Sequence, residues 1–221
     1  MGQKMLKVKG ILFDLDGTIV DSRAAHLEAA RVALTALNKQ PLEVRQALEI
    51  PKRLEQGLPI EYLVGADVKA FLDIYLSTYY SNTKTKTKPI PNVKAALEVL
   101  SQKAKLALIT MRFVPKAIVI EELGQFGLAQ YFSHVVTALD THKPKPSPES
   151  LIKAVKTLDV NICDCVIVGD SVTDVRAGKA AGALTVAVLS GLFSHDELAK
   201  EHPDLILEDV TKLPTFLDLA I

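Results

Sequence analysis

No apolar run in the 221 residues approaches the length needed to span a bilayer. The N-terminal segment "MGQKMLKVKG" carries lysines beside a short apolar run but no small-residue cleavage site, so no signal peptide is expected. Lys and Arg together number 26, as do Asp and Glu. That balance leaves no basic surplus for a nucleic-acid partner. Only two cysteines occur, Cys163 and Cys165, too close in sequence for an ordinary disulfide bracket. The expected compartment is a reducing cytoplasm. Tryptophan is absent, and no segment repeats at a fixed period.

Apolar residues make up 48% of the chain, enough for a full core, and the length suits one large domain or a domain with an insertion. "KVKGILFD" reads as a buried strand ending at Asp14. Residues 22–38 read as a helix capped by Ser22. From there to about residue 81 only helical patterns follow, broken by Pro41, Pro51, Gly57 and Pro59, and no strand is expected. "NTKTKTKPIP" then reads as a linker, with Lys84, Lys86 and Lys88 either solvated or lining the approach of an anionic substrate.

Beyond Pro91 the pattern is regular. Helices are expected over 92–103, 114–124, 147–158 and 172–181. Strands are expected over 105–110, near 133–138, and over 165–170, 184–189 and 204–209, before a closing helix. Alternating strands and helices predict an α/β fold: a Rossmann-like, doubly wound parallel sheet with helices on both faces. Residues 1–19 and 89–221 form this core, and 20–88 form an all-helical cap inserted after the first strand.

Open parallel sheets bind ligands beyond the carboxyl ends of their strands. The first strand ends in Asp14, with Asp16 just beyond, and the second in Thr110. "CVIVGD" ends in Asp170, with Asp174 a turn later, and Lys145 lies in the loop "HKPKPSPE". These pieces make a phosphoryl-transfer site. Asp14 is placed as a nucleophile able to form an acyl phosphate. Clustered carboxylates call for a hard cation such as Mg²⁺. Thr110 and Lys145 face the phosphate oxygens, and Asp16 can reach the leaving oxygen as an acid. Gly17 permits the tight turn out of the strand, and Thr18 can hold that turn by bonding the backbone. Thr110, Met111, Arg112 and Lys145 form the candidate phosphate-binding set.

The sequence resembles the haloacid dehalogenase-like hydrolase superfamily on four motifs: "DLDGT" (Asp14–Thr18), Thr110 at a strand end, Lys145 before "PSP", and "GDSVTD" (Gly169–Asp174). Within it, the chain resembles the phosphoglycolate phosphatase-like and beta-phosphoglucomutase-like subclass with a helical cap. The resemblance implies Asp14 as nucleophile and Asp16 as general acid, then base. It implies a Mg²⁺ site of the Asp14 side chain, the Asp16 backbone carbonyl and Asp170, with Asp174 acting through water or by holding Lys145. Lys143 also precedes a proline, but the spacing to Pro148 and Glu149 favours Lys145.

Other readings have less support. A calcium loop would need a Glu where "DLDGTIVDSRAA" ends in alanine. The dehalogenases of the superfamily lack an aspartate at the position of Asp16. Receiver-type signalling modules are shorter, and a silent binding protein would be missing a catalytic group. His26 is either a structural helix residue or a substrate contact. Arg112 reaches phosphate or the cap, or makes a surface ion pair. Cys163 and Cys165 lack further metal ligands and read as small side chains at the start of a strand. Arg45, Lys52 and Arg53 are candidate cap contacts by charge alone. The expected activity is a Mg²⁺-dependent phosphatase acting on a small phosphorylated metabolite, with a phosphomutase as the alternative.

Overall fold

The computed structural model describes residues 7–217. In chain order the elements are β1 (Gly10–Phe13), β2 (Val20–Asp21), α1 (Arg23–Ala36), α2 (Val44–Glu55), α3 (Glu61–Val64) and α4 (Val68–Lys86). They continue with β3 (Lys88–Pro89), α5 (Val93–Ser101), β4 (Lys105–Ile109), α6 (Lys116–Gln125), β5 (His134–Val136) and α7 (Glu149–Leu158). The last are β6 (Cys165–Gly169), α8 (Val172–Ala181), β7 (Leu184–Val188), α9 (His195–Ala199), β8 (Leu205–Leu207) and a 3₁₀ run over Val210–Phe216. Two compact units result. One is Asp21–Lys88, and the other joins the chain up to Val20 with everything from Pro89 onward.

The larger unit is built on one six-stranded sheet in the order β5-β4-β1-β6-β7-β8. Every pairing in it is parallel. β1 lies at the centre, with Phe13 in register with Leu108 of β4 and Val168 of β6. All four of its residues are buried, as are all five of β6. Such continuous apolar runs are what a strand covered on both faces requires. On one face Ile11, Phe13, Leu106, Leu108, Val166 and Val168 pack with Leu97 and Leu100 of α5 and Val119 and Leu123 of α6. On the other, Leu12, Ala107, Ile109 and Ile167 pack with Leu151, Ala154 and Leu158 of α7 and Ala177 of α8. The alternating sides of β1 thus serve two separate layers, as a period of two demands.

The smaller unit is helical and has its own core, in which Ala29, Ala33, Ile50, Phe71, Tyr75 and Tyr79 are buried. It corrects several expectations. The segment read as a linker is mostly helix, because α4 runs to Lys86. Tyr75, Tyr79 and Thr83 recur every fourth residue on the buried face. The Thr83 and Thr87 hydroxyls donate to the carbonyls of Tyr80 and Thr83. Burial and back-bonding therefore carry through a threonine-rich stretch that propensity alone would break. Lys84 and Lys86 sit in the last helical turn, where cations suit the helix dipole.

Pro51 does not end a helix either. It lies inside α2, which is held by a Glu43–Gln46 capping box and by buried Ala47 and Ile50. Two short strands flank the unit, β2 and β3, which pair with each other. Ser22 occupies the position before α1, but its side chain makes no cap bond. Asp21 accepts from the Arg23 amide instead, and the Arg23 guanidinium closes on the same carboxylate. In the larger unit the expected closing helix is the 3₁₀ run, which contains Pro214. Residues 218–221 lie outside the described residues.

Candidate active site

β1 releases the chain at Asp14, whose amide still donates to the Val168 carbonyl of β6 at 2.9 Å. The carboxylate is thereby fixed at the carboxyl edge of the central strand. The chain then turns back on itself: the amides of Ile19 and Val20 both donate to the Leu15 carbonyl, and the Gly17 amide to Val20. Gly17 has φ +81°, a conformation in which a Cβ is strained. Leu15 and Ile19 anchor the loop in the core. β4 and β6 deliver Thr110 and Asp170 to the same edge, and Thr110 is held through its amide to Val136 at 2.9 Å. Both are buried.

Lys145 lies at the middle of the cluster. Its ammonium donates to Asp14 Oδ1 and to Asp174 Oδ1, each at 2.5 Å, with the lysine side chain 1% exposed. Lys143 is exposed, and its amide donates to Glu149 at 3.1 Å. The same Glu149 accepts from the His142 amide, and these backbone bonds hold its carboxyl below the usual carboxylate range. Glu149 therefore ties down the loop that carries Lys145 inward.

Asp174 is positioned by a capping box at the start of α8. The Ser171 hydroxyl donates to Asp174 Oδ2 at 2.7 Å, and the Asp174 amide donates back to Ser171. Asp170 is held from two other loops. The Thr18 hydroxyl donates to its Oδ1 at 3.3 Å, and the Leu192 amide to its Oδ2 at 3.3 Å. Thr18 was expected to bond its own turn; it reaches across to Asp170 instead, because Gly17 already closes the turn through backbone bonds. The Ser190 hydroxyl donates to the Gly17 carbonyl at 2.6 Å, pinning the two loops together.

Asp14, Asp170 and Asp174 each offer an oxygen within 4.8 Å of the others, and all three are buried. Three anions so close, with one ammonium among them, suit a hard divalent cation. The backbone around Asp170 is shaped to this carboxylate, since a Cβ added at Gly191 or at Gly17 would collide with its Oδ2. The residues present therefore fit a metal, with Asp14 and Asp170 as donors and Asp174 partly engaged by Lys145 and Ser171.

Arg112 leaves β4 two residues after Thr110, and its amide donates to the Thr110 hydroxyl at 3.1 Å. Its guanidinium forks onto Asp16, Nε to Oδ2 at 2.8 Å and Nη2 to Oδ1 at 2.7 Å. Its Nη1 donates to Glu122 of α6 at 2.6 Å. Arg112 is buried, so the surface ion pair weighed as one alternative is an internal one. Met111 stands between Thr110 and Arg112, with its sulfur 4.0 Å from the Thr173 hydroxyl.

Residues outside this cluster have other partners. His26 belongs to the helical unit, where its Nδ1 lies 2.8 Å from the Tyr75 hydroxyl and its ring stacks on Tyr79 at 4.2 Å. On α2, Arg53 lies over the Tyr62 ring and donates to the Pro59 carbonyl, and Lys52 faces Glu49. Cys165 is buried at the start of β6, where desolvation pushes its thiol up to about 11. Cys163 is exposed in the preceding 3₁₀ turn rather than packed in the strand.

Four site residues escaped the sequence reading: Glu122, Ser171, Ser190 and Gly191. Two left a signal. "SVTD" is a capping-box pattern, and Glu122 stands among Val119 and Leu123 on the buried face of α6. Ser190 and Gly191 lie in a loop, where no periodicity marks them.

Residues 11–188 match the family of haloacid dehalogenase-like hydrolases. A phosphoglycolate phosphatase from Neisseria meningitidis is 33% identical over 93% of this chain and 92% of its own. One from Psychrobacter arcticus is 31% identical over 94% of each chain. A haloacid dehalogenase-like hydrolase structure from Streptococcus pneumoniae superposes with a TM-score of 0.81 at 19% identity, covering 95% of this chain and 98% of that one. The matched span runs from β1 to the end of β7 and so includes every side chain of the acidic cluster. This chain belongs to the haloacid dehalogenase-like hydrolase family.

Proposed function

We propose that the protein is a Mg²⁺-dependent phosphatase that hydrolyses small phosphorylated metabolites through an aspartyl-phosphate intermediate on Asp14. One observation carries the reading: the Asp14 carboxylate ends the central strand with Asp170 and Asp174 oxygens within 4.8 Å and the Lys145 ammonium at 2.5 Å. Anionic and cationic groups fixed together in a buried site meet the charge of a transferring phosphoryl group without reorganising.

An Asp14 oxygen attacks phosphorus while the ester P–O bond breaks, and Asp16 gives its proton to the leaving oxygen. Asp16, now a carboxylate, takes a proton from water, whose oxygen attacks the same phosphorus and frees Asp14 and inorganic phosphate. Thr110, Met111 and Lys145 line the phosphate site, Thr110 through its hydroxyl and Lys145 through its charge, whereas Arg112, also in the candidate set, has its guanidinium on Asp16 and Glu122. Mg²⁺ would be held by the Asp14 side chain, the Asp16 carbonyl and Asp170. Asp174 would act through water or through its hold on Lys145. When bound, the ion neutralises phosphate charge and polarises the phosphoryl oxygens.

The helical unit, residues 20–88 in the sequence reading, serves as the cap that selects the substrate. Phosphoglycolate phosphatases among the relatives support a small phosphorylated carboxylic acid as the first ester to test. Cys163 and Cys165 are both free thiols, which supports a reducing cytoplasm as the compartment. No helix among the described residues is long and apolar enough to cross a membrane.

The test is phosphate release from a panel of phosphate monoesters that includes 2-phosphoglycolate. Chelation should abolish release and added Mg²⁺ should restore it. Conversion of a sugar 1-phosphate to its 6-phosphate with negligible phosphate release would assign a phosphomutase instead.

A further inference from the structure

The arginine two residues beyond Thr110 spends its guanidinium on two carboxylates. Both oxygens of Asp16 accept from Arg112, at 2.8 and 2.7 Å, in the forked geometry that a planar guanidinium alone provides. The arginine is itself held from behind by Glu122 on α6, through Nη1 at 2.6 Å and Nη2 at 3.4 Å. Arg112 and Glu122 are 3% and 1% exposed in their side chains, whereas Asp16 is 23% exposed. The triad thus has a buried, rigid end and an open end, and the open end is the carboxylate next to Asp14.

A buried ion pair is expensive to desolvate and gives little net stability by itself. Here it links the β1 loop, the β4 loop and the buried face of α6 through side chains at the sheet edge. The geometry points to Arg112, braced by Glu122, as the positioning residue for Asp16, and this inference rests on the acid role proposed above. The fork takes two of the roughly four lone-pair sites of a carboxylate, so a proton can be carried and passed on without breaking it. As the proton leaves Asp16 for the departing oxygen, the negative charge that forms there meets a guanidinium already in place. Arg112 fixes the aim of the carboxylate and stabilises the charge it acquires. Glu122 keeps the guanidinium from swinging onto the phosphate.

The experiment compares kcat/KM for an alkyl phosphate, 2-phosphoglycolate or the best alkyl ester of the panel, with kcat/KM for p-nitrophenyl phosphate, since kcat/KM reads the steps through loss of the alcohol and not the later attack of water. Only the alkyl leaving group needs the proton. Wild type, Asp16→Asn, Arg112→Lys, Glu122→Gln and the Asp16→Asn/Arg112→Lys double variant are measured together. Arg112→Lys keeps a cation opposite buried Glu122, so the fold survives, but one ammonium cannot fork both oxygens. Asp16→Asn should slow the alkyl ester by about 100-fold or more relative to the aryl ester. Arg112→Lys should do the same by about tenfold, with inhibition by inorganic phosphate unchanged, and Glu122→Gln should follow in the same direction. In the double variant the lysine should add nothing to the loss caused by Asp16→Asn.

Equal loss for both esters with weaker phosphate inhibition would make Arg112 a phosphate ligand and overturn the positioning role. So would an additive double variant, or lost stability without leaving-group selectivity. If Asp16→Asn itself shows no selectivity, the acid role fails first. If Asp16→Asn is selective and Arg112→Lys is not, only the positioning role fails.

Discussion

Lys145 and Asp170 show how much of the site lies in the arrangement of single residues. Lys145 is an ammonium shared by two carboxylates of the cluster, Asp14 and Asp174. Asp170 is boxed in by backbone: Gly17 and Gly191 approach so closely that neither tolerates a Cβ. Replacing Gly191 should therefore displace the Asp170 carboxylate without removing any ligand. Outer-shell changes of this kind typically lower metal affinity about 10–100-fold. Gly191→Ala should shift the Mg²⁺ dependence and the calorimetric binding isotherm by that factor. Gly124→Ala, where a Cβ meets nothing within 4 Å, should leave both unchanged. Equal Mg²⁺ binding by the two variants would show that the close approach of Gly191 has no bearing on the metal.

The elements were legible where burial imposed a period, and less so where it did not. β1, β4, β6 and β7 are apolar runs between turn signals, and each is found within a residue or a few of its expected place. The amphipathic helices α5, α7 and α8 follow from the same logic. The misreadings cluster in the helical unit and at the chain end. Threonine and lysine alternation in α4 conceals a buried tyrosine face, and Pro51, which by itself predicts a break, lies inside α2. At the site, Asp14, Thr110 and Asp170 stand out because they follow β1, β4 and β6 directly, and Asp16, Lys145 and Asp174 because they sit in motifs close behind. Glu122 and Gly191 do not, since their importance arises from tertiary neighbours: Arg112, ten residues before Glu122 on another element, and Asp170, in a separate loop from Gly191.

The helix α5 offers a clean test of this account of the elements. Leu97 is 0% exposed and packs in the core beneath the sheet, while Val99, two residues on, is 38% exposed. Leu97→Ala should cost about 2–5 kcal/mol, seen as a lower denaturation midpoint. Val99→Ala should change stability by no more than about 0.5 kcal/mol. Similar losses for both would contradict the assigned faces of α5.

For the whole molecule, one sheet edge gathers Asp14, Lys145, Asp170 and Asp174, while a separate helical unit has its own core. The central claim is that Asp14 takes the phosphoryl group and water removes it. Rapid acid quench of the enzyme turning over its best ester, followed by borohydride trapping and peptide mass analysis, tests this most directly. The account predicts a phosphoryl group on Asp14 that forms and decays as fast as phosphate is released. Asp14→Asn should show no trapped species and at least about 1000-fold less turnover. Rapid phosphate release with no modified Asp14, or substantial turnover by Asp14→Asn, would contradict it.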